Sequence, residues 1–479
     1  MPKLGEFLAQ VNPQSVCMPD QAGDLAFHSV STDSRTLSAG ALFFALSGPN
    51  FDANSFVAAA KARGAVAAVV TRLDDTMRSV GLPLIQVQDS LATLQQWARY
   101  WRAQWSGKIV AVTGSNGKTT VKQMIASIFA QAVGNEHAWA TPGNLNNHIG
   151  VPLSVLGLST AHRLAVLELG MNHPNEIAGL ADIASPHVAV VTNAQREHQE
   201  FMKSVAAAAE ENGQVFRALP DDGVAIFPQD PAHESIWIGL AASRPKIRFG
   251  FGDSPDSRFN GTEVVGKWKK DGADGVPLLR ITFPNQEQVE LTLRGVGEHF
   301  ARNAMAAAAC AYAVGIAPAV IGQGLNAFEP VKGRGQRCTL AGGGVLVDDS
   351  YNANPDSVRA AIDALASMSG PKALVLGDMG EVGDQGEAFH QEVLAYANQK
   401  TITSIWLHGA AFEQAAQSLG IGRHFRDVNE LIDGLRAWSS EQQSAQQLPS
   451  IWVKGSRFMK MERVVQALTS PIGEAATCS

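Results

Sequence analysis

The heptapeptide Gly114-Ser115-Asn116-Gly117-Lys118-Thr119-Thr120 collects the residue types that a chain of phosphates requires. Two glycines allow a tight turn in which backbone N–H groups converge on an anion, and Lys118 adds a point charge suited to β- and γ-phosphates. The Thr119 hydroxyl is a natural oxygen ligand for an accompanying Mg²⁺. These residues need a strand before them and a helix after them, so that the positive end of the helix dipole meets the anion. Ile109, Val110, Ala111 and Val112 supply the apolar run of a buried parallel strand, and residues 119–132 are compatible with a helix. The usual phosphate loop carries a glycine where this chain has Val112, so the loop is a shortened form. Strand, loop and helix together point to a nucleoside triphosphate.

Four further constellations could carry chemistry. Glu168 closes the apolar run 164–167, and His198 follows the run 188–192 within Asn193-Ala194-Gln195-Arg196-Glu197-His198. Alone, each is equally at home as a structural residue; after two strands of one sheet, with Thr119, they could ligate a cation. Residues 141–150 hold Asn144, Asn146, Asn147 and His148 in a glycine-bounded loop, which suits either a polar ligand or ordinary Asn turns. Asp348-Asp349-Ser350-Tyr351-Asn352-Ala353-Asn354-Pro355 places acid, phenol and amides on a turn after a strand. It could hold ribose hydroxyls or an ammonium group, or could cap a helix starting near Asp356. Lys454-Gly455-Ser456-Arg457 is a basic turn, suited to an anion or to a solvated charge pair.

The elements that must position these groups divide the 479 residues into three blocks. Residues 1–106 form a smaller α/β N-terminal unit, with strand-like runs at 41–46 and 65–70 and helices at 55–63 and 90–105. Residues 107–329 alternate strand and helix, with strands at 164–169, 188–192, 224–227 and 247–251, which implies a parallel sheet covered by flanking helices. Residues 262–294 alternate like an antiparallel ribbon. In 330–479, strands at 345–349, 373–378, 405–409 and 451–455 end in glycine or aspartate, as in a Rossmann-like open sheet whose ligand edge lies at the carboxyl ends. The fold class is therefore α/β, with a central P-loop domain between two others.

A composition of 45% hydrophobic and 17% charged residues fits a folded enzyme, and a net charge of −7 excludes broad binding to nucleic acid or anionic membranes. Cys17, Cys310, Cys338 and Cys478 are widely spaced, with no metal-ligand pattern, and are read as reduced thiols of a cytoplasmic protein. The uncharged stretch 303–323 is alanine-rich and broken by Gly315 and Pro318, so it reads as two packed helices rather than a membrane span.

Taken in order, these motifs resemble the Mur ligases, ATP-dependent amide-bond-forming enzymes of peptidoglycan precursor synthesis. The carrying residues include Thr32-Asp33-Ser34-Arg35, residues 113–120, Asn144-Leu145-Asn146-Asn147-His148, Glu168-Leu169-Gly170-Met171-Asn172-His173 and His299-Phe300-Ala301-Arg302-Asn303. Tyr351-Asn352-Ala353-Asn354-Pro355 and Gly377-Asp378-Met379-Gly380-Glu381 are similar to the branch that adds D-alanyl-D-alanine to a UDP-N-acetylmuramoyl tripeptide. The resemblance implies a monomer using ATP and Mg²⁺, with Lys118, Glu168 and His198 catalytic and Thr119, Glu168 and His198 as metal ligands. It further implies that Gly114 to Thr120, Asn303, Arg334 and Asp349 hold ATP. Ser31, Asp33, Ser34, Arg35, Asn146, Asn147, Tyr351 and Asn352 would contact the substrates. One departure stands out: family members commonly carry a carbamylated lysine where this chain has Asn212, and the expectation is that Glu210 or Glu211 supplies the missing charge. Three other readings are weighed against this one. Another ligase of the superfamily, such as the meso-diaminopimelate-adding enzyme or a folylpolyglutamate synthase, would keep the mechanism and change both substrates. The lack of Asp-Asn-Pro-Arg disfavours the first of these, and the lack of an Asp closing 188–192 disfavours a nucleotide-driven switch. A non-catalytic nucleotide binder is suggested only by Asn212.

Overall fold

The computed structural model describes residues 2–19, 21–48, 51–197, 199–252, 259, 261–269 and 278–469. Its strands assemble into three main sheets that follow one another along the chain.

The first sheet runs, in spatial order, Ser15–Cys17, Leu84–Gln86, Ala67–Val70, Ala41–Phe44, Ser29–Ser31. Only Ser15–Cys17 is antiparallel to its neighbour. The helix Ser90–Gln104 lays Leu94 and Trp97 on this sheet, where Trp97 meets Phe7 edge-on at 5.2 Å. Three residues separate it from the next strand, so the break expected near residue 106 coincides with the change of sheet.

The central sheet has nine strands, in the order Gln288–Thr292, Leu278–Thr282, Thr262–Lys269, Lys246–Phe251, Val224–Pro228, Val188–Val191, Lys108–Thr113, Leu164–Glu168, Ala138–Ala140. All neighbouring pairs are parallel except those that Leu278–Thr282 makes with Thr262–Lys269 and Gln288–Thr292, the expected antiparallel ribbon. Side chains of a strand alternate between faces. Val110 and Val112 enter one core with the helices Lys118–Val133 and Glu298–Val314, while Ile109 and Ala111 enter the other. Small residues let Glu298–Val314 lie close to the sheet: Ala304, Ala307, Ala308 and Ala309 are fully buried. The alanine-rich stretch is thus a core helix, followed after Gly315 by Pro318–Ala327. Among the described residues no helix is long and apolar enough to cross a membrane.

The third sheet runs Gln336–Thr339, Val345–Asp349, Ser450–Lys454, Lys372–Gly377, Ser404–His408, Arg423–Phe425, parallel apart from the first strand. Helices Pro355–Ala366, Gly386–Gln399 and Ala410–Leu419 cover one face, Val428–Ser444 and Glu462–Thr469 the other. Cys17 and Cys310 are free thiols, and burial pushes the Cys310 thiol up. Cys338 is disulfide-bonded, which corrects the expectation of reduced thiols throughout.

Candidate active site

The carboxyl ends of Lys108–Thr113, Leu164–Glu168 and Val188–Val191 lie side by side, so the loops that follow them share one edge of the central sheet. The third sheet's loops face that edge across a cleft of about 840 Å³. Phosphate-loop residues, Asn146, Asn147, Glu168 and Asn303 line one wall, and Arg334, Asp349, Tyr351 and Asn352 the other.

Lys108–Thr113 leads into the loop and Lys118–Val133 starts at Lys118. Gly117 caps that helix with φ of +83°, and a Cβ there would collide with the Asn303 amide, so glycine is required on both counts. Lys118 Nζ donates to the Gly114 and Ser115 carbonyls and lies 3.3 Å from Glu197 Oε2. Thr119 Oγ1 donates to Glu168 Oε1 at 3.1 Å, and Asn146 Nδ2 donates to the same oxygen at 2.8 Å. Glu168 Oε2 is buried without a hydrogen-bond partner; the nearest cation is Lys122 Nζ at 3.5 Å. A buried carboxylate oxygen with open valence beside a threonine hydroxyl is a donor set that fits a hard divalent cation. His198, expected to complete this set, lies outside the described residues.

Lys122 was not legible as a functional residue. Its side chain is fully buried, and Nζ donates to the Thr141 and Gly143 carbonyls at 3.0 Å each. Burial pushes its pKa down, with Glu168 acting in the opposite direction. Thr141 Oγ1 accepts from the Glu168 amide at 2.9 Å, so loop 141–150, Lys122 and Glu168 form one bonded unit. The available signal was spacing: Lys122 follows Thr119 by three residues, on the same helix face.

Asn212 sits directly behind the phosphate loop. Its Oδ1 accepts from Thr113 Oγ1 at 2.6 Å and the Gly114 amide at 2.8 Å, and its Nδ2 donates to Glu197 Oε1 at 3.1 Å. Glu210 is exposed, and Glu211 points away, accepting from the Asn175 and Ile177 amides at 2.9 Å each to cap the helix Glu176–Ala184. The expectation that Glu210 or Glu211 supplies charge to the site is therefore corrected. The carboxylate beside Lys118 and Asn212 is Glu197, buried and contributed by the loop after Val188–Val191.

On the facing wall, Asp349 Oδ2 pairs with Lys454 Nζ at 2.8 Å, and Lys454 also donates to the Asn352 carbonyl. The Arg334 guanidinium lies 4.0 Å over the Tyr351 ring. Asn354 is the N-cap of Pro355–Ala366, with a reciprocal bond to Ser357, so the capping reading holds for Asn354 while Asp349 remains in the cleft. Asn354 Nδ2 also donates to Asn116 Oδ1 at 2.9 Å, joining the two walls. Asn147 Oδ1 accepts from the Ile149 and Gly150 amides just before and at the start of the next helix, while the residue lines the cleft.

Ser31, Asp33, Ser34 and Arg35 are not brought into this cleft. Ser31 ends the edge strand of the first sheet and the other three follow it, where Arg35 donates to both Asp33 oxygens at 2.9 and 2.8 Å. That hydrogen bond holds the Asp33 carboxyl down at about 2.

The family model described as "Mur ligase family, catalytic domain" matches residues 26–102. "Mur ligase middle domain" matches 112–311, and "Mur ligase, glutamate ligase domain" matches 333–457. The chain is 38% identical to the UDP-N-acetylmuramoyl-tripeptide–D-alanyl-D-alanine ligase of Escherichia coli (strain K12), over 96% of each chain. It is 36% identical to the enzyme of that name from Haemophilus influenzae, covering 92% of this chain and 94% of that one. MurF from Acinetobacter baumannii superposes with a TM-score of 0.85 at 30% identity, over 97% of this chain and 98% of that one. The MurF ligase from Thermotoga maritima in complex with ADP gives 0.78 at 25% identity, over 93% and 97%. A phosphate loop facing a third-domain wall, matched over nearly the whole length, places the chain in the Mur ligase family.

Proposed function

We propose that this chain is an ATP-dependent ligase that joins D-alanyl-D-alanine to the terminal carboxylate of a UDP-N-acetylmuramoyl tripeptide, through an acyl phosphate, releasing ADP and phosphate. One observation carries the reading. A single cleft sets the phosphate loop and Glu168 opposite Arg334, Asp349 and Lys454, so a triphosphate, a carboxylate and an amine can meet between two walls.

Loop residues Gly114 to Thr120 hold the phosphates, and Lys118 lies where negative charge grows as the terminal phosphoryl group transfers. Preorganised donors of this kind supply most of the barrier lowering in such reactions. Thr119 and Glu168, with His198, would hold Mg²⁺, which would offset charge on the phosphates when bound. Asn303 and Arg334 contact the nucleotide. Asp349, held by Lys454, accepts from ribose hydroxyls or from the ammonium group of the incoming dipeptide. Asn146 and Asn147 face the muramoyl peptide, and Tyr351 and Asn352 the dipeptide side. Ser31, Asp33, Ser34 and Arg35, away from the chemistry, hold the uridine nucleotide.

The division of labour is then 1–106 for the UDP-linked substrate, 107–329 for ATP, and 330–479 for ATP and the dipeptide. The enzyme works in the cytoplasm, where ATP and nucleotide-linked precursors are found, and as a monomer; one chain supplies both walls of the cleft. Mass spectrometry of a reaction with ATP, UDP-N-acetylmuramoyl tripeptide and D-alanyl-D-alanine tests the assignment. The expected product is the tripeptide nucleotide plus the dipeptide less one water; an unchanged tripeptide nucleotide would overturn it.

A further inference from the structure

The loop after Val188–Val191 does two mechanical jobs at once. Its flanking residues grip the phosphate loop. The Gln195 amide donates to Ser115 Oγ at 2.9 Å, Asn116 Nδ2 to Gln195 Oε1 at 2.7 Å and the Asn116 amide to Asn193 Oδ1 at 2.9 Å, while Glu197 pairs with Lys118. Between them, Arg196 turns the other way and enters the third domain. Its Nη2 donates to Asp356 Oδ1 and its Nη1 to Glu392 Oε2, both at 2.6 Å, and its backbone amide donates to Asp356 Oδ2 at 2.8 Å. Its guanidinium also lies 5.1 Å over the Phe389 ring. Asp356 stands in the first turn of Pro355–Ala366 and Glu392 in Gly386–Gln399, where Arg359 also donates to it at 2.9 Å.

A lone exposed ion pair would mean little, because solvent screens it and side-chain entropy opposes it. This arrangement differs in three respects. The Arg196 side chain is only 21% exposed, it bonds two carboxylates in fork geometry, and the carboxylates come from two helices packed together. Two arginines and two acids leave the cluster neutral. Arg196 lines the cleft, but its guanidinium is engaged by Asp356 and Glu392, so it acts on the phosphate loop through its neighbours.

We propose that Arg196 is a positioning residue that makes docking of the third domain and ordering of the phosphate loop a single event. With Asp356 and Glu392 in place, loop 193–197 is drawn taut and delivers Gln195 to the phosphate loop and Glu197 to Lys118. When the third domain withdraws, the loop loses its outer anchor. By reciprocity, a nucleotide that orders the phosphate loop strengthens docking by the same factor. This role rests on residues 114–120 being the ATP site.

The test compares wild type, Arg196→Met, Arg196→Lys, Glu392→Gln and the Arg196→Met/Glu392→Gln double variant. ATP affinity is measured by calorimetry, kcat and KM with all substrates, and radius of gyration by X-ray scattering with an ATP analogue bound. Removing the link should weaken ATP binding about tenfold and enlarge the nucleotide-bound particle. Arg196→Lys should recover part of both effects, and the double variant should be no worse than Arg196→Met. Should Arg196→Met fail to fold, Glu392→Gln, on a helix outside the cleft, carries the same expectation in smaller measure. Wild-type affinity and radius in the variants would overturn the proposal. So would a drop in kcat with unchanged ATP binding and unchanged scattering. A wild-type protein that binds no ATP would instead refute the assignment of the site.

Discussion

Lys122→Met removes the ammonium while keeping a side chain of similar length, and its effect follows from the surroundings of Nζ. Three oxygens face it: the Thr141 and Gly143 carbonyls at 3.0 Å and Glu168 Oε2 at 3.5 Å, all around a side chain with no solvent exposure. Breaking a buried ion pair from one side costs about 3–5 kcal/mol, because the remaining charge is left uncompensated. The two orphaned carbonyls add about 1 kcal/mol each, and the better burial of methionine returns about 1–2 kcal/mol. The net loss is about 4 kcal/mol, which lowers the melting point of a domain of ~200 residues by about 8–16 °C. The double variant Lys122→Met/Glu168→Gln no longer buries an unpaired charge, so it should be more stable than Lys122→Met by about 2 kcal/mol. The assay is thermal or urea unfolding of wild type, both single variants and the double. Additive destabilisation, or a Lys122→Met protein melting within about 2 °C of wild type, would show that the pair is not the energetic unit described.

Other outcomes follow from the same geometry. Lys118→Ala should abolish turnover while leaving circular dichroism close to wild type, with a lowered melting point because buried Glu197 loses its cation; loss of folding would reassign Lys118 to structure. Activity in bicarbonate-depleted buffer should equal that with bicarbonate restored, because Asn212 offers no amine to carbamylate and Glu197 supplies the carboxylate beside it. Recovery of activity on adding CO₂ would refute this. Hydrogen bonding from Arg196 holds the Glu392 carboxyl below its ordinary value of 4.5. Its contribution to docking is thus complete above about 4.5 and is lost only as pH falls through the lower, docked-state value. Scattering profiles should be constant from pH 8 to about 5 and expand only below that; expansion near neutrality would contradict the assignment.

Much of the fold was legible because the strands announce themselves. Ile109 to Val112 feeds two cores in strict alternation, and the runs closed by Glu168, Asp349 and Gly377 end where the sheets present their ligand edge. Short edge strands such as Ala138–Ala140, Gln336–Thr339 and Arg423–Phe425 escaped, since three or four residues carry too little periodicity to register. The helix expected at 55–63 opens instead with the 3₁₀ turn Ala53–Phe56, capped by Asp52 on the Asn54 amide. Within the site, Glu168 was visible as a carboxylate on an apolar run. Lys122 was not, because a lysine between Val121 and Gln123 on a helix reads as a surface residue until loop 141–150 covers it. The misplacement of charge at Glu210 and Glu211 has a helical cause. Successive residues of Val205–Gly213 point about 100° apart, so Asn212 faces the phosphate loop while Glu211 faces the Glu176–Ala184 helix. Arg196 could not be read at all, since its partners lie 160 and 196 residues further along the chain.

The most direct measurement is phosphate release from ATP by the purified protein with UDP-N-acetylmuramoyl tripeptide, with and without D-alanyl-D-alanine. A ligase that passes an acyl phosphate to an amine should release phosphate steadily, one per dipeptide joined, only when the dipeptide is present. Release at the same rate without the dipeptide would contradict the assignment of the cleft to amide-bond formation.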